Sequence, residues 1–244
     1  MKHDIRLITP VITEGIRTLD DVAPLESAEF TTSHVLLERG PSSIECEFDE
    51  ALSVPDIIRR AVQAQEEGCS AVVIDCFGDP GLFPAREAVR IPVLGPGETS
   101  MHTAALLAGR FSVITVLEDV VPMIENCATV YGVDRQLASI RVVDMPVLEI
   151  ESRYEEVTQR LAEQALLAIR EDRARGIVLG CTGFLGCAEH IRNTLLNHDL
   201  DVPVLDPVPT TVLMAQSLVR GGLSHSKVAF RAPRSKEISG YELD

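Results

Sequence analysis

Two cysteines stand where a chain can most easily do chemistry. Cys76 follows the apolar run Ala71–Asp75, and Cys181 follows the apolar run Ile177–Gly180. A small-residue turn comes next in each case: Cys76-Phe77-Gly78-Asp79-Pro80-Gly81 and Cys181-Thr182-Gly183. A free thiol has a pKa of about 8.5, close enough to neutrality that modest tuning makes it a proton donor or, as thiolate, an acceptor. Two thiols on opposite sides of one carbon can take a proton from one face and return it on the other. That exchange interconverts the two hands of a stereocentre. The turns add a second ingredient. Backbone N–H groups at a helix start favour thiolate and can hydrogen-bond the oxygen that gains charge as the proton leaves. A single cysteine at a strand end is more often plain core. Recurrence of the whole arrangement singles out this pair.

The elements that must carry these thiols read as alternating strands and helices. Arg6–Thr9, Ala71–Asp75, Ser112–Leu117 and Ile177–Gly180 are Val/Ile/Leu runs with little alternation, as expected of strands covered on both faces in a parallel sheet. Val54–Glu67 has helical apolar spacing, with Ser53 and Asp56 as a capping-box-like start and Gly68 as a stop. Glu155–Arg173 is a second such helix, and Gly176 closes its segment. The pattern predicts an α/β fold. It also repeats. The segments that end in Cys76 and Cys181 are each helix, glycine, apolar strand, cysteine, with the cysteines 105 residues apart. Upstream, Ile8–Thr9 matches Ile114–Thr115; downstream, IPVLGP from Ile91 matches VPVLDP from Val202. The expectation is two pseudo-symmetric lobes, each a mainly parallel sheet flanked by helices, with the active-site cleft between them. Residues 1–100 plus 207–244 would form the first lobe and 101–206 the second.

Other polar residues near these strand ends have two readings each. Thr9 and Thr115, at equivalent strand ends, are positioned to offer hydroxyls to a substrate or to act as turn residues. Glu98 either lines the cleft or caps the helix Thr99–Ala108. Gly95-Pro96-Gly97-Glu98 lacks the lysine and spacing of a phosphate loop. Asp75 either orients the turn or opposes a thiolate at Cys76 by like-charge repulsion. Cys46, Cys69, Cys127 and Cys187 read as structural thiols, and no Cys-x-x-Cys pair or zinc spacing is present, so no metal is expected. His190 reads as a solvated helix-surface side chain.

At these motifs the sequence resembles a known group. Val73-Ile74-Asp75-Cys76-Phe77-Gly78-Asp79-Pro80-Gly81-Leu82 is similar to the first cysteine motif of hydantoin racemases, and Val178-Leu179-Gly180-Cys181-Thr182-Gly183 to their second. Gly97-Glu98 resembles their Gly-Glu-Ala element, and Gly40-Pro41-Ser42-Ser43-Ile44-Glu45 their early loop. The resemblance implies the aspartate/glutamate racemase superfamily and proton transfer by two cysteines without a cofactor. It carries Cys76 and Cys181 over as the acid/base pair, and Phe77, Thr182 and Gly183 as backbone N–H donors. Departures bear on substrate. Thr9-Pro10-Val11-Ile12-Thr13 replaces an Asn-Pro-Asn-Thr-like strand exit, and Gly97-Glu98-Thr99 replaces Gly-Glu-Ala. Phe77-Gly78, where amino-acid racemases tend to carry Asn-Thr, favours a hydantoin-like ring over a free acidic amino acid.

Composition narrows the partners. The 244-residue chain is 45% hydrophobic and 24% charged, with a formal charge of −15. That balance suits a folded globular protein and opposes nucleic-acid binding, which needs a basic footprint. No apolar run suggests a signal peptide or a membrane span, so a cytoplasmic protein is expected, with sparse cysteines kept as thiols. Apolar residues beyond the main stripe of the second helix (Leu166, Leu167, Ile169) suggest a homo-oligomer. The leading expectation is a cofactor-independent racemase or epimerase acting on a 5-substituted hydantoin or an allantoin-like ring amide. The alternatives are an aspartate/glutamate-type amino-acid racemase and a non-catalytic small-molecule-binding relative.

Overall fold

Residues 2–241 are described by a computed structural model. The chain opens with β1 (His3–Thr9) and β2 (Phe30–Leu36), then α1 (Glu47–Glu66), β3 (Ala71–Ile74), α2 (Leu82–Ala88) and β4 (Val93–Leu94). It continues through α3 (Pro96–Ala108), β5 (Phe111–Thr115), α4 (Val121–Val130), β6 (Leu137–Val142) and α5 (Tyr154–Arg170). The final elements are β7 (Ile177–Leu179), α6 (Cys187–Leu196), β8 (Val204–Leu205) and α7 (Pro207–Arg220). No helix among the described residues is long and apolar enough to cross a membrane.

Two four-stranded sheets result, in the orders β2-β1-β3-β4 and β6-β5-β7-β8, and every pairing is parallel. Every residue of β3, β5 and β7 is buried. Their Val/Ile/Leu-rich character follows from that, because neither face of a central parallel strand meets water. The edge strands β2 and β6 are mostly half-buried, and their sequences, FTTSHVL and LASIRV, mix polar with apolar residues accordingly.

The chain divides into two units. One comprises the described residues up to Ile44, then Phe48–Gly95 and the described residues from Thr211; the other comprises Glu45–Glu47 and Pro96–Thr210. Each unit holds one sheet. The repeat read from the sequence extends to individual main-chain bonds. Ser70 N–H donates to Asp4 C=O in the first unit, and Arg175 N–H to Arg110 C=O in the second. Asp75 N–H donates to Ile8 C=O at 2.8 Å, and Gly180 N–H to Ile114 C=O at 2.7 Å. Val72 N–H donates to Pro92 C=O, and Ile177 N–H to Pro203 C=O.

Several expected boundaries move. α1 begins at Glu47 rather than Val54, so Ser53 is interior. Its hydroxyl donates to the Glu50 carbonyl, while Asp56 accepts the Glu38 N–H and the Arg59 guanidinium. The pair is therefore not a capping box. Asp56 instead ties the helix to the end of the β2 segment. α5 ends at Arg170, not Arg173, because Arg173 takes the left-handed conformation (φ 62°) that ends a helix. α3 begins at Pro96, three residues before the expected start, which puts Glu98 in its first turn.

Candidate active site

Each cysteine is delivered by a central strand and held by the same ladder of turns. After β3, Asp79 N–H donates to the Cys76 carbonyl at 3.1 Å, and Leu82 N–H to the Asp79 carbonyl at 3.2 Å. After β7, Phe184 N–H donates to the Cys181 carbonyl at 3.3 Å, and Cys187 N–H to the Phe184 carbonyl at 3.2 Å. Gly81 (φ 69°) and Gly186 (φ 74°) then cap α2 and α6 in the left-handed conformation that favours glycine. Neither cysteine is in a disulfide, and both are half-buried. Neither of the two opens a helix, contrary to the reading of the sequence. The helices start at Leu82 and Cys187, a full turn structure beyond the cysteines, so the thiols do not sit in the first helical turn, where a helix dipole acts. For Cys181 the local donor is instead the Gly183 N–H, 3.3 Å from its sulfur. An N–H directed at sulfur favours thiolate.

The surroundings of the two cysteines differ. In the first unit the Thr9 hydroxyl donates to Asp75 Oδ2 at 2.6 Å, and Arg17 Nε lies 3.3 Å from the same oxygen. Arg17 also bonds both carboxylate oxygens of Asp21, at 2.9 and 3.0 Å. The Thr9 proton is committed to Asp75, so His34 Nε2, at 2.9 Å, donates to the Thr9 oxygen. The Arg17 and Asp75 side chains are only 3% and 1% exposed, so this is a buried charge cluster. Burial pushes the Asp21 carboxyl up, against the pull of Arg17. Burial likewise pushes His34 down, opposed by the Asp75 charge. In the second unit the position of Asp75 is taken by Gly180. A Cβ there would lie 2.6 Å from Val113 Cγ1 and 3.0 Å from the Ile114 carbonyl oxygen, so no side chain fits. Thr115, the counterpart of Thr9, donates its hydroxyl to the Gly180 carbonyl at 3.1 Å.

Within the first unit the fold thus brings together Thr9, Cys76, the buried Phe77 and the half-buried Gly78. Within the second it brings together Thr115, Cys181, Thr182 and Gly183; Glu98, half-buried in the first turn of α3, belongs to the same unit. Thr9 and Thr115 are buried and spend their hydroxyls on Asp75 and Gly180.

A sequence model of the family described as Asp/Glu/Hydantoin racemase matches residues 15–215. The chain belongs to this family. It is 37% identical over 239 residues to a hydantoin racemase of Pseudomonas sp. (strain NS671), covering 97% of this chain and 94% of that one. Among solved structures it is similar to the allantoin racemase from Klebsiella pneumoniae, with a TM-score of 0.91 at 31% identity over 100% of this chain and 99% of that one. Allantoin racemase from Pseudomonas fluorescens gives 0.90 at 32% identity, covering 97% and 100%.

The other thiols of this racemase-family chain fit structural roles. Cys69 is buried and donates to Asp4 Oδ2 at 3.2 Å; burial and that hydrogen bond push its pKa up to about 11. Burial also pushes up Cys187, which opens α6. Cys46 and Cys127 are half-buried and not in disulfides, and His190 is exposed on α6. No group of metal-ligating side chains occurs among the described residues. Arg17, Asp21 and His34 escaped the sequence reading. Arg17 and Asp21 lie in an irregular stretch without periodicity, and His34 lies on a half-buried edge strand.

Proposed function

We propose that the chain is a racemase or epimerase of a five-membered ring amide, a 5-substituted hydantoin or allantoin, working by two-thiol proton transfer. The observation that carries this reading is the matched pair of half-buried thiols, each at the end of a central strand in an identically bonded turn. The hydantoin and allantoin racemases to which the chain is similar support the substrate class.

In this reading one cysteine, as thiolate, removes the hydrogen from the ring carbon that bears the substituent. The electron pair moves into the adjacent carbonyl, whose oxygen gains charge. The other cysteine, as thiol, delivers its proton to the opposite face, leaving the inverted ring and a thiolate/thiol pair with exchanged roles. The N–H groups of Phe77, Thr182 and Gly183 stabilise the developing oxyanion. Gly78 and Glu98 complete the proposed substrate contacts. Thr9 and Thr115 brace the strand ends. The proposal includes action in the cytoplasm as a homo-oligomer. Leu166, Leu167 and Ile169, which suggested this from the sequence, are half-buried on α5. Its support comes instead from Leu106 and Leu107 on α3 and Val130 on α4, which are exposed.

Polarimetric or circular-dichroism decay of enantiopure 5-benzylhydantoin, allantoin, aspartate and glutamate tests the reading. Decay of a ring amide is expected. Decay confined to the amino acids would overturn the substrate class, and no decay of any would overturn the activity.

A further inference from the structure

The two halves of the chain share several main-chain hydrogen bonds around the cysteines, yet they differ at the residue that precedes each one. Asp75 precedes Cys76, and Gly180 precedes Cys181. Asp75 is buried with its carboxylate on the Thr9 hydroxyl and the Arg17 guanidinium. Gly180 is closed to any side chain by Val113, Ile114 and Thr115. The same threonine position therefore braces a side chain in one unit and a main-chain carbonyl in the other.

A buried ion pair is a poor way to gain stability, because desolvation of the charges cancels most of their attraction. An apolar residue at position 75 would extend the run Ala71–Ile74 at no such cost. Two carboxylates, Asp75 and Asp21, are nonetheless buried around one Arg17, with His34 reaching in through Thr9. The cluster spans the end of β1, β2, the loop carrying Arg17 and Asp21, and the residue that carries the Cys76 turn. It fixes that turn against three other segments of the unit.

We propose that Asp75 is a positioning residue dedicated to Cys76, so that the two thiols are held by different means and one half of the proton transfer depends on the Arg17–Asp75–Thr9 cluster while the other does not. This rests on the two-thiol reading above. The interconverted enantiomers have equal free energy, so racemisation obeys the same kcat/KM in both directions whatever is mutated. The inequality is visible only when one thiol acts alone.

The experiment places Asp75→Asn in two backgrounds. Cys181→Ser leaves Cys76 to exchange the ring hydrogen of one enantiomer of 5-benzylhydantoin with solvent deuterium, and Cys76→Ser leaves Cys181 to exchange the other. In the first background Asp75→Asn is expected to lower the kcat of exchange roughly tenfold or more with KM nearly unchanged, because misplacement of the acting group is felt in the transition state. In the second, exchange should stay within about twofold, the spread expected of a residue that does not touch that half-reaction. Thr9→Ser, which keeps the hydroxyl on Asp75, should preserve Cys76-dependent exchange, whereas Thr9→Val should lower it. Equal losses in both backgrounds, or none in the first, would overturn the proposal. A second measurement needs no substrate. Iodoacetamide labelling, read by mass spectrometry of the separate cysteine peptides, should show Asp75→Asn speeding Cys76 and leaving Cys181 alone. Equal change in both, or in neither, also overturns it. If the unmutated chain exchanges neither hydantoin nor allantoin, the racemase reading fails, and the labelling ratio still decides the role of Asp75.

Discussion

At the scale of the residue, a serine hydroxyl cannot replace a thiol as acid or base near neutral pH. Cys76→Ser and Cys181→Ser should each lower racemisation by orders of magnitude, because inversion needs both faces. Each variant should still exchange the ring hydrogen of one enantiomer with deuterium, and the two variants should retain opposite enantiomers; NMR of the recovered substrate reads this directly. Loss of exchange on both enantiomers in both variants would contradict the two-base scheme. Cys69 should behave differently. With its pKa pushed up to about 11 by burial and by Asp4, it should escape iodoacetamide at neutral pH, and Cys69→Ala should leave activity intact. The linkage runs in one direction only. A thiol held protonated by folding stabilises below its unfolded pKa of 9.0, and that contribution is lost as pH rises towards about 11. Cys76 and Cys181 were legible because each ends an apolar run before a glycine turn and the pattern recurs. Arg17, Asp21 and His34 were not, because a polar residue in a loop or on a half-buried strand leaves no periodic trace.

Elements differ in how plainly they announce themselves. The central strands β3, β5 and β7 were readable because burial on both faces favours runs rich in Val, Ile and Leu, and β1 was readable through its buried end, Leu7–Thr9. β2 and β6 border water and carry Thr, Ser, His and Arg, while β4 and β8, two residues each, show in the sequence only through the matched segments from Ile91 and Val202. Contacts of their own fix these edges. Arg141 on β6 bonds Asp172 in a fork, Nε to Oδ2 at 2.6 Å and an Nη to Oδ1 at 3.0 Å, and Ser139 adds a bond to Oδ2. The Arg141 hydrogen bond holds the Asp172 carboxyl below its ordinary value. Asp172→Ala should cost about 1 kcal/mol in urea denaturation. A lowered carboxylate pKa gives stability that is present above pH 3.8 and lost as pH falls through the folded value, so the deficit of the variant should shrink in acid. Gly180→Ala should be more damaging, by roughly 1–3 kcal/mol, since its methyl group meets Val113 and the Ile114 carbonyl rather than open space.

The whole molecule is one α/β design used twice, with one sheet order in both units. A chain of 26.6 kDa with apolar side chains on view at Leu106 (84% exposed) and Val130 (64% exposed) should associate. Light scattering is expected to give a multiple of that mass, and Leu106→Glu with Leu107→Glu should return the monomer; a monomer from the unmutated chain at micromolar concentration would reject the association. The two units also differ in how the chain enters them. Apart from Glu45–Glu47, the second is drawn from one continuous stretch, Pro96–Thr210, whereas the first needs residues from Thr211 onward. Gln216 bonds the Leu25 carbonyl and Arg220 pairs with Glu29, each across 191 residues of sequence. During synthesis on the ribosome, the half that is translated first must therefore wait. Its sheet strands emerge early, the other half can fold behind them, and only the arrival of α7 closes the older one. A pause or truncation just after Leu205 would leave a finished second sheet joined to a first unit that has all its strands but lacks α7, with Cys76 already present but its unit still open.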